Sequence, residues 1–201
     1  MKKLLLLLTA TFWHFTAYAD YEPTLLAELV DKADLIMYGE LTTLHSTTVL
    51  AKPLRVLKGN FAIGSITIEK FKNWTCASRY AVYQPGQRAV FFLKSSGAHN
   101  RFLVLGAANE GEMPVVNNKV YYSQQYLPID KSPRSFKVPG GVVNGYVYDI
   151  GVFQQAVGFY LGNRPRVLNL IGQNQNRVDT MSNPVLLRLV QENRAQQGQT
   201  W

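Results

Sequence analysis

From Asp34 to Ser123, with no internal repeat, short apolar or alternating runs are separated by turns. DLIMYGELTTL carries apolar residues on both faces (Ile36, Met37, Tyr38), as a buried strand does. In TTVLAKPLRVLKGN, Pro53 interrupts an otherwise regular strand, which implies an edge or a bulge. Lys58-Gly59-Asn60 makes a turn and Ile63-Gly64 opens another. Ser65 to Glu69 alternates like a half-buried strand. Tyr83-Gln84-Pro85-Gly86-Gln87 has the Pro-Gly order of a type II turn and leads into RAVFFLK, an apolar run that must be buried. RFLVLGA and PVVNNKVYYS add further strands on either side of a Gly-rich acidic loop, Gly106 to Glu112. Five or six strands at roughly 8–15-residue intervals, with little helix, fit a small barrel or sandwich.

The flanks read differently. Ahead of the strands, Thr24 stands as N-cap to a short helix, LLAELVDKAD, with Glu28 in its first turns. Beyond Tyr126, LPIDKSPRSFKVPGG reads as extended linker or edge, and Asn144-Gly145 carries a hairpin signal. Asp149 then caps a helix whose stripe (Val152, Phe153, Ala156, Val157, Tyr160, Leu161) suits packing on the barrel, and Gly162-Asn163 stops it. Residues 164–183 read as loop, and Pro184 begins a last helix. The expected chain is mainly β. A five- or six-stranded barrel with a short N-terminal helix occupies residues 20–125. An extended segment, a hairpin and two helices that pack on the barrel occupy 126–201.

The first nineteen residues resemble a secretory leader: Lys2-Lys3, an apolar run from Leu4, and the small-residue site Ala17-Tyr18-Ala19. The apolar run is too short for the ~20 residues that a bilayer span needs. The expectation is export to the periplasm or beyond, with cleavage after Ala19 and no transmembrane span. Charge is unevenly spread. Residues 20–51 hold six acids (Asp20, Glu22, Glu28, Asp31, Asp34, Glu40) against Lys32, a balance of −5, whereas 52–101 hold nine bases and only Glu69, a balance of +8. The basic run is either a solvated surface or a footprint for an anionic partner. In an exported protein, that partner would be a protein or an envelope polymer rather than nucleic acid.

Catalytic signatures are missing. The chain has no G-x-S-x-G, H-E-x-x-H, Walker or G-x-G-x-x-G sequence. Glu110 and Glu112 read as surface acids on a loop. Cys76 is the single cysteine, so it is either a packed thiol or a partner for another molecule. With only His45 and His99 after the leader, no zinc spacing exists. Neither an enzyme nor a metal or cofactor site is expected. Asn73-Trp74-Thr75 matches a glycosylation acceptor by chance.

In order, ADLIMYGELTTL, LRVLKGN, SITIEKF, YQPGQRAVFFLK and RFLVLGAANEG resemble the OB-fold domain of the superfamily of tissue inhibitors of metalloproteinases and netrin modules, over about residues 24–117. The resemblance is closer still to uncharacterised exported bacterial proteins with that core. It implies an OB-like barrel, but not the inhibitors' activity, because their zinc-chelating N-terminal cysteine has no counterpart at Asp20-Tyr21-Glu22. The functional expectation is a non-enzymatic binding module that contacts a protein or an anionic envelope polymer. Its contact surface would be basic and aromatic: Lys70, Lys72, Trp74, Arg79, Tyr80 and Arg88, with Phe71 and Tyr83 interleaved. The alternative is an inhibitor of an exported protease or hydrolase that acts through an inserted loop.

Overall fold

A computed structural model describes residues 21, 23–61, 64–75, 77–123, 134–171 and 182–196. The leader sequence, Cys76 and residues 124–133 and 172–181 lie outside them. The described residues hold nine strands: β1 (Leu35–Leu44), β2 (Thr48–Lys58), β3 (Ile66–Glu69), β4 (Arg88–Ser95), β5 (Arg101–Val104), β6 (Glu112–Val116), β7 (Lys119–Ser123), β8 (Arg134–Val138) and β9 (Gly141–Asp149). The helices are α1 (Leu26–Lys32), α2 (Ile150–Ile171) and α3 (Pro184–Gln196). Strands β1-β2-β3-β5-β4 close on themselves through β1–β4 pairing, with β3 and β5 parallel and the other neighbours antiparallel. The result is the expected mainly β chain: a closed five-stranded mixed barrel, one helix before it and two after. From β4 the sheet continues outward through β6, β7, β9 and β8.

Strand β4 explains its own composition. Ala89, Phe91 and Leu93 fill the barrel with Leu35, Met37, Leu41, Val49, Ala51, Ile66 and Ile68. Val90 and Phe92 point the other way, into a second core with Ile36, Met113, Val120, Tyr122 and the three helices. Both faces are dry from Ala89 to Leu93, so that run is wholly apolar. Pro53 sits beyond the stretch of β2 that pairs with β3, at an irregularity in the β1–β2 ladder, so it is both edge and bulge.

Four local expectations are corrected. The N-terminus of α1 is not capped by Thr24. The N–H of Leu26 donates to Tyr122 Oη (3.0 Å) and that of Ala27 to Glu192 Oε2 (3.0 Å), so the cap arrives from β7 and α3. The Asn-Gly pair is not a hairpin turn; it lies inside β9, and the turn is at Pro139-Gly140, where Gly140 has φ +87°. Residues 164–171 are helix rather than loop: α2 breaks at Asn163 (φ −127°, ψ 22°), where Gly162-Asn163 is expected to stop it, and Pro165 starts a continuation. Glu110 and Glu112 are buried rather than on the surface, for the reasons given below.

The Lys58-Gly59 turn has a structural purpose. Lys58 Nζ donates to the carbonyls of Val30 (2.8 Å) and Asp31 (2.9 Å) and thereby caps the C-terminal end of α1. Gly59, at φ +87°, lies so close to the Asp34 carbonyl that a Cβ would strike it.

Candidate binding surface

The connection from β3 to β4, residues 70–87, contains no regular element apart from a bridge between Trp74 and Ala77. A connection this long ordinarily moves, because few of its backbone groups have ladder partners. Here one buried side chain organises it. Arg79 Nε donates to both oxygens of Glu112 (3.1 and 3.0 Å), Nη2 donates to Glu112 Oε1 and to Gln87 Oε1 (2.9 Å), and Nη1 donates to the Ala81 carbonyl (2.6 Å). The guanidinium carbon is 3.8 Å from the centre of the Tyr83 ring and 4.5 Å from that of Tyr80. Side-chain exposure is 3% for Arg79 and 1% for Glu112. Burial alone would lower the Arg79 pKa, but the hydrogen bonds and charge of Glu112 outweigh it and leave the guanidinium more firmly protonated than usual.

The rest of the loop is tied to this centre. Tyr83 Oη donates to Glu112 Oε2 (3.3 Å) and accepts the Phe71 N–H (2.9 Å). Asn73 Oδ1 accepts the Arg79 N–H (3.0 Å), and Asn109 Oδ1 accepts the Tyr80 N–H (2.7 Å). Burial pushes the hydroxyl pKa of both Tyr80 and Tyr83 upward. Glu112 belongs to β6 and is therefore fixed by the sheet, so the loop is fastened to a rigid element. Alongside, Glu110 Oε2 accepts Tyr21 Oη–H (2.6 Å) and the N–H groups of Ala107 (2.9 Å) and Thr24 (3.2 Å). Burial, then Glu110, pushes the Tyr21 hydroxyl up to about 12. The Tyr21 ring meets Trp74 edge-on at 5.7 Å. Both acids are thus buried because each collects donors that would otherwise be unsatisfied.

The six residues expected to make contacts divide. Lys72 and Trp74 are exposed, Trp74 by 46%. Arg88 is exposed but paired with Glu40 (2.7 Å). Lys70 is half-buried and donates to the carbonyls of His45 and Ser46 in the β1–β2 turn. Tyr80 is half-buried against Arg79, and Arg79 itself is inside. Val82, on the same loop and 79% exposed, was not expected; a lone valine carries no sequence signal.

Folding pairs four of the nine bases of this run with acids, Arg79 with Glu112 among them. Antiparallel β1 and β4 bring Glu40 directly opposite Arg88 and Asp34 next to Lys94 (2.7 Å), and Arg101 meets Glu69 (3.0 Å). Lys58 and Lys70 are used on backbone carbonyls, and Arg55 Nη1 on Gln154 (2.8 Å). Of the nine bases, Lys52 and Lys72 keep no ion pair or hydrogen bond among the described residues; Lys52 stands opposite Glu40 in the β1–β2 ladder.

Two other places hold charge. An open cleft of about 660 Å³ is lined by Asp31, Asp34, Lys58 and Lys94, whose charges are already spent on one another, on helix carbonyls or on Arg164. The second is internal: Glu192 accepts from Ala27 and Tyr122, and Arg188 lies 3.7 Å from it and 3.9 Å from the Tyr146 ring centre. Burial pushes Glu192 up to about 7, against the pull of its donors and of Arg188. This cluster joins α1, α3 and the sheet. Among the described residues no group of three His, Cys, Asp or Glu side chains is placed to hold a metal, and no helix is long and apolar enough to cross a membrane. Comparison with protein-family models, with curated proteins and with solved structures finds no match for the chain.

Proposed function

We propose that the chain is an exported, non-enzymatic binding module that grips a protein partner with the 70–87 loop. One observation carries this reading. A long irregular loop is braced by a buried ion pair and presents Trp74 and Val82 outward. A loop ordered before binding loses little entropy when it docks, and a rigid aromatic is the commonest anchor of protein interfaces. The cross-strand pairing of the basic run weighs against a purely electrostatic grip on an anionic polymer. A closed five-stranded barrel supplies a rigid base for such a loop.

The test is retention of the purified protein on isolated envelope material. Trp74→Ala is expected to lower affinity by about tenfold or more, as loss of an interface anchor does. Retention should also disappear when the material is first treated with a protease. Retention that survives both treatments but collapses in high salt would overturn the proposal in favour of the anionic polymer. The braced loop favours one second reading, an inhibitor of an exported hydrolase; slowing of such an enzyme by the wild type but not by Trp74→Ala would identify it.

A further inference from the structure

The hairpin of β8 and β9 is seated on the 70–87 loop by direct contact between backbones. At Gly140 a Cβ would come within 2.8 Å of Ala81 Cβ, and at Gly141 it would land on the Tyr80 carbonyl oxygen. Gly140 also holds φ +87°, a conformation that side-chain-bearing residues rarely adopt. No other residue type fits at either position without moving the turn or the loop. Two segments some sixty residues apart in sequence are therefore locked together at the braced centre, because Tyr80 and Ala81 flank the carbonyl and ring contacts made by Arg79.

The residue following each contact is an exposed valine: Val82 after Ala81, and Val142, 49% exposed, after Gly141. Single exposed valines are ordinary. Here each directly follows a residue that is held at the seam by close backbone approach. Lys137 stands directly opposite Val142 in the β8–β9 ladder, so the two side chains share a face, and Lys137 is exposed. Lys72 rises from the loop next to Phe71, whose N–H is held by Tyr83. Among the described residues neither lysine has an acidic partner. Every described carboxylate except Glu110 is already in an ion pair, and Glu110 is occupied by Tyr21 and backbone donors. The seam therefore offers apolar groups and positive charge, with no negative charge of its own to answer it.

We propose that the Pro139–Gly141 turn, with Val142 and Lys137, is the second half of the recognition surface, and that the partner is a protein face with an apolar centre bordered by carboxylates. This inference rests on the reading of the 70–87 loop as the contact loop. It adds a specific requirement: both sides of the seam contribute, and charge on the hairpin selects the partner. Apolar groups supply most of the contact energy in such a surface, while the rim charges set orientation and association rate. A soluble anionic polymer would answer to Lys137 but be indifferent to Val142.

The experiment uses the full mature chain and the same isolated envelope material. Val82→Asp, Val142→Asp, Lys137→Glu and, as a control on an exposed barrel strand, Leu103→Asp are compared with wild type. Melting temperature and near-ultraviolet circular dichroism verify that each variant is folded. Val142→Ser stands in if the aspartate disturbs the hairpin. The expected result is a tenfold or greater loss for Val82→Asp and for Val142→Asp, a smaller loss and a slower on-rate for Lys137→Glu, and no change for Leu103→Asp. If Val82→Asp fails to bind while both Val142 variants and Lys137→Glu bind like wild type, the hairpin has no part in recognition; this inference falls and the loop reading stands. If neither valine matters, this inference falls and Trp74→Ala alone decides the loop reading. Loss with Lys137→Glu alone would overturn the apolar centre and leave an electrostatic contact.

Discussion

Removing Glu112 should loosen the 70–87 loop more than any surface substitution could. In Glu112→Ala the Arg79 guanidinium would stay where the fold puts it, 3% exposed, with its Nε–H and one Nη2 direction facing no acceptor. Breaking a buried pair from one side costs ~3–5 kcal/mol, because it leaves an uncompensated charge. The cost here belongs at the lower end, since Gln87, the Ala81 carbonyl and the two tyrosine rings still face the guanidinium. About 3 kcal/mol in a chain of this size corresponds to a fall in melting temperature of roughly 6–12 °C. The damage should be local first: amide protection and protease resistance at 73–83 should fall before those of β1 and β4. Replacing both partners, Arg79→Met with Glu112→Met, should recover part of the loss, because no buried charge remains. A fall of less than about 2 °C for Glu112→Ala, with loop protection unchanged, would refute the view that this pair braces the loop.

The exposed pair offers the contrast: Arg88→Ala, which leaves Glu40 in water, should barely shift the melting temperature, and still less in high salt. Lys58→Met keeps the apolar stem but removes two hydrogen bonds to the end of α1, for a loss of about 1 kcal/mol and faster exchange of the α1 amides. Glu192 sets a pH dependence. Its folded pKa of about 7 lies above the unfolded value, so folding favours the protonated form. Its contribution to stability is full below the ordinary glutamate range, diminishes as pH rises towards 7 and is gone above it. Melting temperature measured from pH 4 to 8 should fall through that window in the wild type and stay flatter in Glu192→Gln; equal slopes would contradict the burial argument.

The strands were legible because their signals are local. Alternation at Ser65 to Glu69, the Pro85-Gly86 turn with Gly86 at φ +82° and the wholly apolar run of β4 each follow from a few neighbouring residues. The misread elements all depended on distant partners. Thr24 looked like a cap, but Tyr122 and Glu192 reach the α1 amides from 96 and 165 residues away. Asn144-Gly145 looked like a turn, but Pro139-Gly140 upstream had already made it, and β9 continues through the pair to match β7.

The contact surface was half legible for a related reason. A basic run in a strand-rich chain is not a basic surface until its register is known. Asp34 and Glu40 are far in sequence from Lys94 and Arg88 yet meet them where β1 runs beside β4, so part of the asymmetry closes within the barrel. Arg79 stood out as a cation among aromatics, and that environment is real. The same features that suggested an exposed stacking site also describe a buried guanidinium on two tyrosine faces, and only Glu112, 33 residues away, decides between them. Once Arg79 turns inward, the outward residues of its loop are those with the least sequence signal, Val82 and Lys72. The seam with Gly140 and Gly141 then determines what stands beside them. Two segments distant in sequence are thus held at contact distance, which neither segment's own residues announce.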